Sequence, residues 1–338
     1  MINQPIFFER NRVGRVYLGG KLFCDFFGDA PEDGFFPEEW IASGVRAINK
    51  VSRGEKEGVS KPIGCELYFD ELIEKYKKEL LGTSETLRIL VKVLDSAVRL
   101  PAQAHPDRAF SKVHFNSPYG KTESWLILGT RPDAKIFFGF REGVTKDDLA
   151  RAIEESESDR DAMERLLLPI TPEVGEVYLV PAKTAHAIGA GCLILEIQEP
   201  TDFTVQPERY CGDYRLSDME MYLTLDKTTA LDCFSFGKTP EAKCEPLTIF
   251  VDNSVKIEEL IGQKQTDCFV IRRITLKDGS YPINLADTYG IYIVCEGEGK
   301  IVGEGYERCV RKGDYFFLGA CAMGGYRLEG NLSVVECY

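Results

Sequence analysis

Gln103, His105, Glu123 and His186 are the residues whose types and spacing could hold a cation. Gln103 and His105 stand one residue apart in QAHPD, so an extended backbone would point both side chains to one face. The carboxylate of Glu123, in KTESW, and the imidazole of His186, in PAKTAHAIGAG, complete a set of nitrogen and oxygen donors suited to zinc or a similar divalent ion. The set predicts a metal site inside a β-barrel.

The positioning elements follow from hydrophobic patterning. LRILVKVLD (87–95) is a compact run of Leu, Ile and Val and predicts a buried strand just before the Gln103 segment. ESWLILG and AKIFFGF predict two strands joined by the turn residues RPDA, read as a hairpin. EVYLVP (176–181) and CLILEIQ (192–198) predict two more, with His186 near the end of a hairpin at the barrel rim. Helical spacing of Phe69, Leu72, Ile73, Tyr76 and Leu80, closed by Gly82, predicts one helix over 66–81. Thr145 with Asp148 resembles a capping box and opens a helical insertion over 145–168. The opening segment, to about residue 63, reads as irregular strands with little chemistry. Pro240 and Pro246 mark 230–248 as a linker. Beyond it the short strands and Gly turns predict a closed jelly roll without ligands. The expected division is a metal-binding domain over 1–235 and a second barrel over 240–338.

Length and charge narrow the function. At 338 residues the chain can bury a sizeable core, and a net charge of −13 argues against nucleic-acid or anionic-membrane partners. No apolar run reaches the length of a membrane helix and the N-terminus lacks a signal-peptide core, so the expected location is the cytoplasm. Eleven cysteines show no CxxC pair and most read as buried thiols, Cys192 among them. The three histidines are His105, His114 and His186, which confines any His-ligated metal to the first two thirds of the chain. His114, after RAFSKV, reads as a surface or packing residue.

The segments QAHPD, KTESW, PAKTAHAIGAG and LEIQEPTD, in that order, resemble the class I mannose-6-phosphate isomerases of the cupin superfamily, in their compact bacterial form. The likeness extends through LRILVKVLD, GFREGVTKDDL and KGDYFFLGA. It implies a mainly β fold of two cupin-type jelly-roll barrels with helical insertions in the N-terminal part. The implied activity interconverts mannose 6-phosphate and fructose 6-phosphate through an enediol, with a small-molecule sugar phosphate as partner. It also implies Zn2+ on Gln103, His105, Glu123 and His186, acting as a Lewis acid on the substrate oxygens. Glu196 matches the family's candidate acid/base glutamate and Lys121 its active-site lysine, with Lys92 a further cation in the barrel wall. Two departures stand out. Gln206, in TDFTVQ, replaces a family arginine, with Arg209 three residues on as a candidate substitute, and Pro101-Ala102-Gln103 replaces Ser-Ile-Gln. These open a second expectation, an isomerase of another sugar or an inactive sugar-binding cupin.

Overall fold

The computed structural model describes residues 1–50 and 54–338 and is mainly antiparallel β, built as two cupin-type jelly-roll barrels. In the first, seven strands lie in the order Lys243–Cys244, Val177–Val180, Glu123–Thr130, Cys192–Gln198, Leu90–Ser96, Glu38–Ile41 and Arg12–Val13. Facing them is a three-stranded sheet ordered Leu167–Ile170, Ile136–Phe140 and His186–Ile188. The second barrel is an eight-stranded sheet containing Leu247–Val251, Val255–Ile261, Ile271–Ile283, Gly290–Gly303, Tyr306–Arg311, Tyr315–Leu318 and Tyr326–Cys337. Its eighth strand, Ile6–Phe7, comes from the start of the chain and pairs with Tyr315–Leu318.

The central strands of the first barrel are buried on both faces, which is why they read as apolar runs rather than alternating ones. Val91, Val93, Leu195 and Ile197 pack outward against Ile291, Ile293, Phe317 and Val335 of the second barrel. The alternate residues turn inward, and there Leu94, Trp125, Ile127 and Ile194 pack with Ile136, Phe138 and Ile188 of the facing sheet. Register then sets the chemistry: Glu196 lies opposite Lys92 on one side and Trp125 on the other, and Gln198 lies opposite Glu123.

Several expected elements differ. Strands Glu123–Thr130 and Ile136–Phe140 exist but do not pair, because the RPDA turn carries the chain from one sheet to the other. The helix expected over 66–81 is two, Phe69–Lys75 and Lys77–Leu81, broken where Tyr76 leaves helical geometry at φ −126° and ψ 39°. The capping box at Thr145 and Asp148 is present, but its helix ends at Glu155; a 3-10 turn over Glu164–Leu166 leads into a strand. Within the expected linker, Lys243–Cys244 joins the first sheet and Leu247–Val251 the second, so the crossing occurs between them. No helix among the described residues is long and apolar enough to cross a membrane.

Candidate metal centre and active site

Backbone pairing between distant segments brings the candidate ligand residues together. Gln103 is not part of a strand; it forms an isolated bridge in which its N–H donates to His186 O and accepts at its own carbonyl from His186 N, each at 2.9 Å. His186 begins a strand of the smaller sheet and is fully buried rather than at the rim, because that strand packs under the larger sheet. Glu123 begins the strand that pairs with Cys192–Gln198. Gly120 permits the last approach: a Cβ there would lie 2.6 Å from Pro106 O, and the neighbouring Lys121 N–H donates to that same carbonyl.

His105, Glu123 and His186 each offer a donor atom within 4.8 Å of the others, and all three are buried. Glu123 Oε2 is 3.1 Å from His105 Nε2, and Glu123 Oε1 is 3.3 Å from His186 Nε2. Both rings are fixed from behind. His105 Nδ1 lies 2.9 Å from Phe203 O and His186 Nδ1 lies 2.9 Å from Thr184 O. A carbonyl only accepts, so both Nδ1 atoms carry the proton and both Nε2 atoms aim lone pairs at the centre. His186 Nε2 makes no hydrogen bond there. The Lys121 ammonium, 2.8 Å from both His105 Nε2 and Glu123 Oε2, is a cation already drawn into the nest. An orphaned imidazole nitrogen, two inward lone pairs and a carboxylate fit a divalent metal ion.

The electrostatics agree. Burial, aided by the Lys121 charge, pushes His105 down to about 3 and keeps it neutral, as ligation requires. Burial likewise lowers His186. Burial alone would raise Glu123, but Lys121 and the imidazoles hold it well below the carboxylate range.

Gln103, Lys121 and Glu123 open onto a cavity of about 330 Å³ that Lys92 and Glu196 also line. Lys92 Nζ stands 3.1 Å from Glu196 Oε1, yet that oxygen has no aligned hydrogen bond. Burial raises Glu196 against the pull of Lys92, while Glu196 and Glu38 together keep Lys92 above its ordinary value despite burial. A carboxyl whose pKa is raised by burial and which lines a cavity is placed to exchange protons with a molecule bound there. Glu196 is shielded from solvent, since its strand is covered on both sides.

The structure does not bring Arg209 into this cavity. Its Nε pairs with Glu157 at 2.6 Å, and its Nη1 bonds Asp218 and Leu216 O, which anchors it outside. Gln206 does line the cavity, where its amide donates to Glu220 O at 3.1 Å. His114 ends the helix Arg108–His114, exposed and packed on Phe110. Cys192 is buried among apolar residues, and all eleven cysteines are free.

The opening segment supplies chemistry that patterning missed. Arg15, Tyr17, Glu38, Asn49 and Lys50 all line the cavity. Glu38 receives Arg15 Nε at 2.9 Å, Tyr17 OH at 2.7 Å and Trp40 Nε1 at 2.7 Å, and despite burial Arg15 and Lys92 bring it down to about 2. The signal was present in EEWI, two adjacent carboxylates within an apolar strand.

No protein-family model matches the chain. The chain is 29% identical to mannose-6-phosphate isomerase ManA of Bacillus subtilis strain 168, over 98% of its own length and 97% of that protein. The similarity to a protein of that name runs nearly end to end. Mannose-6-phosphate isomerase of Streptococcus mutans is 27% identical over 99% of this chain and 98% of its own. The crystal structure of the Bacillus subtilis mannose 6-phosphate isomerase superposes with a TM-score of 0.80 at 24% identity, covering 99% of both chains. The apo form from Salmonella typhimurium gives 0.73 at 16%, covering 99% of this chain and 98% of that one. For this isomerase relative the likeness therefore spans both barrels.

Proposed function

We propose that the chain is a zinc-dependent aldose-ketose isomerase that interconverts mannose 6-phosphate and fructose 6-phosphate. The observation that carries the reading is the buried group of His105, Glu123 and His186 beside a cavity that Glu196 lines. The names of the full-length relatives support the substrate.

Two imidazoles and a carboxylate, with the Gln103 amide as fourth donor, would hold the ion. When bound it supplies Lewis acidity, polarising the substrate carbonyl and stabilising negative charge on oxygen. The protein does the remainder. In the ketose-to-aldose direction, Glu196 takes the proton from C1 of the opened sugar as the C1–C2 double bond forms and the C2 carbonyl electron pair moves onto its oxygen, which takes up the proton released by the C1 hydroxyl. The same carboxyl then returns a proton to C2 while the C1 oxygen becomes the aldehyde. Burial suits Glu196 to both halves, because its raised pKa makes it a competent base and, once protonated, a competent acid. Lys92 keeps it oriented from the neighbouring strand. Lys121 contributes positive charge beside the carbonyl end.

The test is incubation of zinc-loaded protein with fructose 6-phosphate in deuterated water. Mannose 6-phosphate carrying deuterium at C2 is expected, and Glu196→Gln should slow its formation by about 10²- to 10⁴-fold. Absence of both aldose and label would sink the proposal.

A further inference from the structure

We infer that Lys50 anchors the phosphate of the substrate, in place of the arginine that the family pattern would put at Gln206; the inference rests on the isomerase reading above.

A 6-phosphate sits at the far end of the carbon chain from C1 and C2, so it must lie away from Glu196 and the ligand group, toward the cavity mouth. A dianion there needs a cation whose charge is not already compensated. Among the described residues lining the cavity the cations are Arg15, Lys50, Lys92 and Lys121. Arg15 is held by Glu38 and Asp202, each at 2.9 Å. Lys92 is paired to Glu196 at 3.1 Å and Lys121 to Glu123 at 2.8 Å. All three are buried or nearly so, and moving any one toward a phosphate would strand a buried carboxylate.

Lys50 differs on each count. Its side chain is 50% exposed, and its carboxylate contact is Glu220 at a loose 3.6 Å. Glu220 has stronger partners of its own, accepting from Ser217 N and Tyr214 OH at 2.8 Å each. The ammonium can therefore turn to an incoming anion without breaking a tight pair. Gln206 still contributes, by fixing position rather than charge. Its amide ties down the carbonyl of Glu220, and its N–H donates to Met221 O, which seats the short helix Asp218–Tyr222 beside Lys50. The hydroxyls of Thr204 and Thr224, also in the lining, are further donors at the same wall.

The physical difference from an arginine is large. A half-exposed ammonium is a flexible point charge, whereas a guanidinium grips two phosphate oxygens at once. The structure thus assigns this chain a phosphate hold that is open to screening by salt.

Steady-state kinetics of the zinc-loaded full chain on fructose 6-phosphate test this, with calorimetric binding of fructose 6-phosphate as a second readout. Lys50→Met is expected to raise KM by about 10- to 100-fold with a much smaller change in kcat, and to weaken calorimetric binding in parallel. Lys50→Arg should restore KM to near the wild-type value. Raising ionic strength should raise the wild-type KM and leave that of Lys50→Met nearly flat. A Lys50→Met KM within twofold of wild type, in an enzyme that does turn over, overturns the role of Lys50 and leaves the isomerase reading standing. Binding that depends on Lys50 in a protein without turnover supports the anchor and defeats the isomerase reading. A wild type that neither binds nor converts the sugar phosphate overturns both.

Discussion

The two barrels share an architecture and differ in what fills them. Inside the first, Glu123, Lys121, Lys92, Glu196 and Glu38 line a cavity, with His105 and His186 buried against Glu123 beside it. Inside the second, Ile274, Leu276, Val294, Phe316, Leu318 and Val334 close on one another around the ring of Tyr292. The register of inward positions is what distinguishes them: a strand such as CLILEIQ places a carboxylate where the equivalent strands of the second barrel place hydrocarbon. The lesson is that a jelly roll supplies inward-facing positions and the residue at each decides between chemistry and packing. Glu336 is the exception in the second barrel. It is fully buried, 3.7 Å from Arg272, and neither carboxylate oxygen has a hydrogen bond.

The largest expected effect would break that contrast at the metal. His105→Ala should lower zinc affinity on the order of 100-fold or more and abolish turnover, while Tyr292→Phe in the second barrel should leave zinc content untouched. Metal analysis after dialysis reads the difference; full zinc in His105→Ala would mean that the two interiors are not distinguished as described.

A smaller effect concerns Glu336. Burial raises its carboxyl from 4.5 to about 7, so the fold disfavours the charged form. The penalty is absent below the unfolded value, grows as pH rises from 4.5, and is complete above about 7. The wild type should therefore lose stability across that window, on the order of 3 kcal/mol, relative to Glu336→Gln. Urea midpoints of the two proteins at pH 5 and pH 8 measure it, and parallel pH profiles would show that the second barrel tolerates the charge.

The smallest effect sharpens the boundary of the first interior. Arg209→Ala removes ion pairs to Glu157 and Asp218, both substantially exposed, and should cost about 1 kcal/mol or less. Its kcat and KM for fructose 6-phosphate should stay within about twofold of wild type. A KM rise like that expected of Lys50→Met would place Arg209 at the substrate after all.

Much of the candidate site was legible from residue types. Gln103, His105, Glu123 and His186 could be gathered because few side chains suit a divalent ion and the chain holds three histidines in all. Glu196 and Lys92 were reached through the resemblance of their segments, CLILEIQ and LRILVKVLD, to a known family. Arg15 and Lys50 were not legible, since they belong to short irregular segments placed by distant partners: Arg12–Val13 pairs with Glu38–Ile41, which in turn pairs with Leu90–Ser96.

The sequence by itself determined much of the strand content and the donor residues available to a candidate metal site, because donor type and hydrophobic periodicity are local properties. Tertiary structure decided the rest. It separated two strands that local patterning joins as a hairpin, carried His186 from rim to interior, and tied Arg209 to Glu157 and Asp218 outside the cavity. Each of these depends on which groups the fold brings together from separate segments or separate sheets, where burial and ion pairing are settled by the packed whole rather than by any stretch of chain.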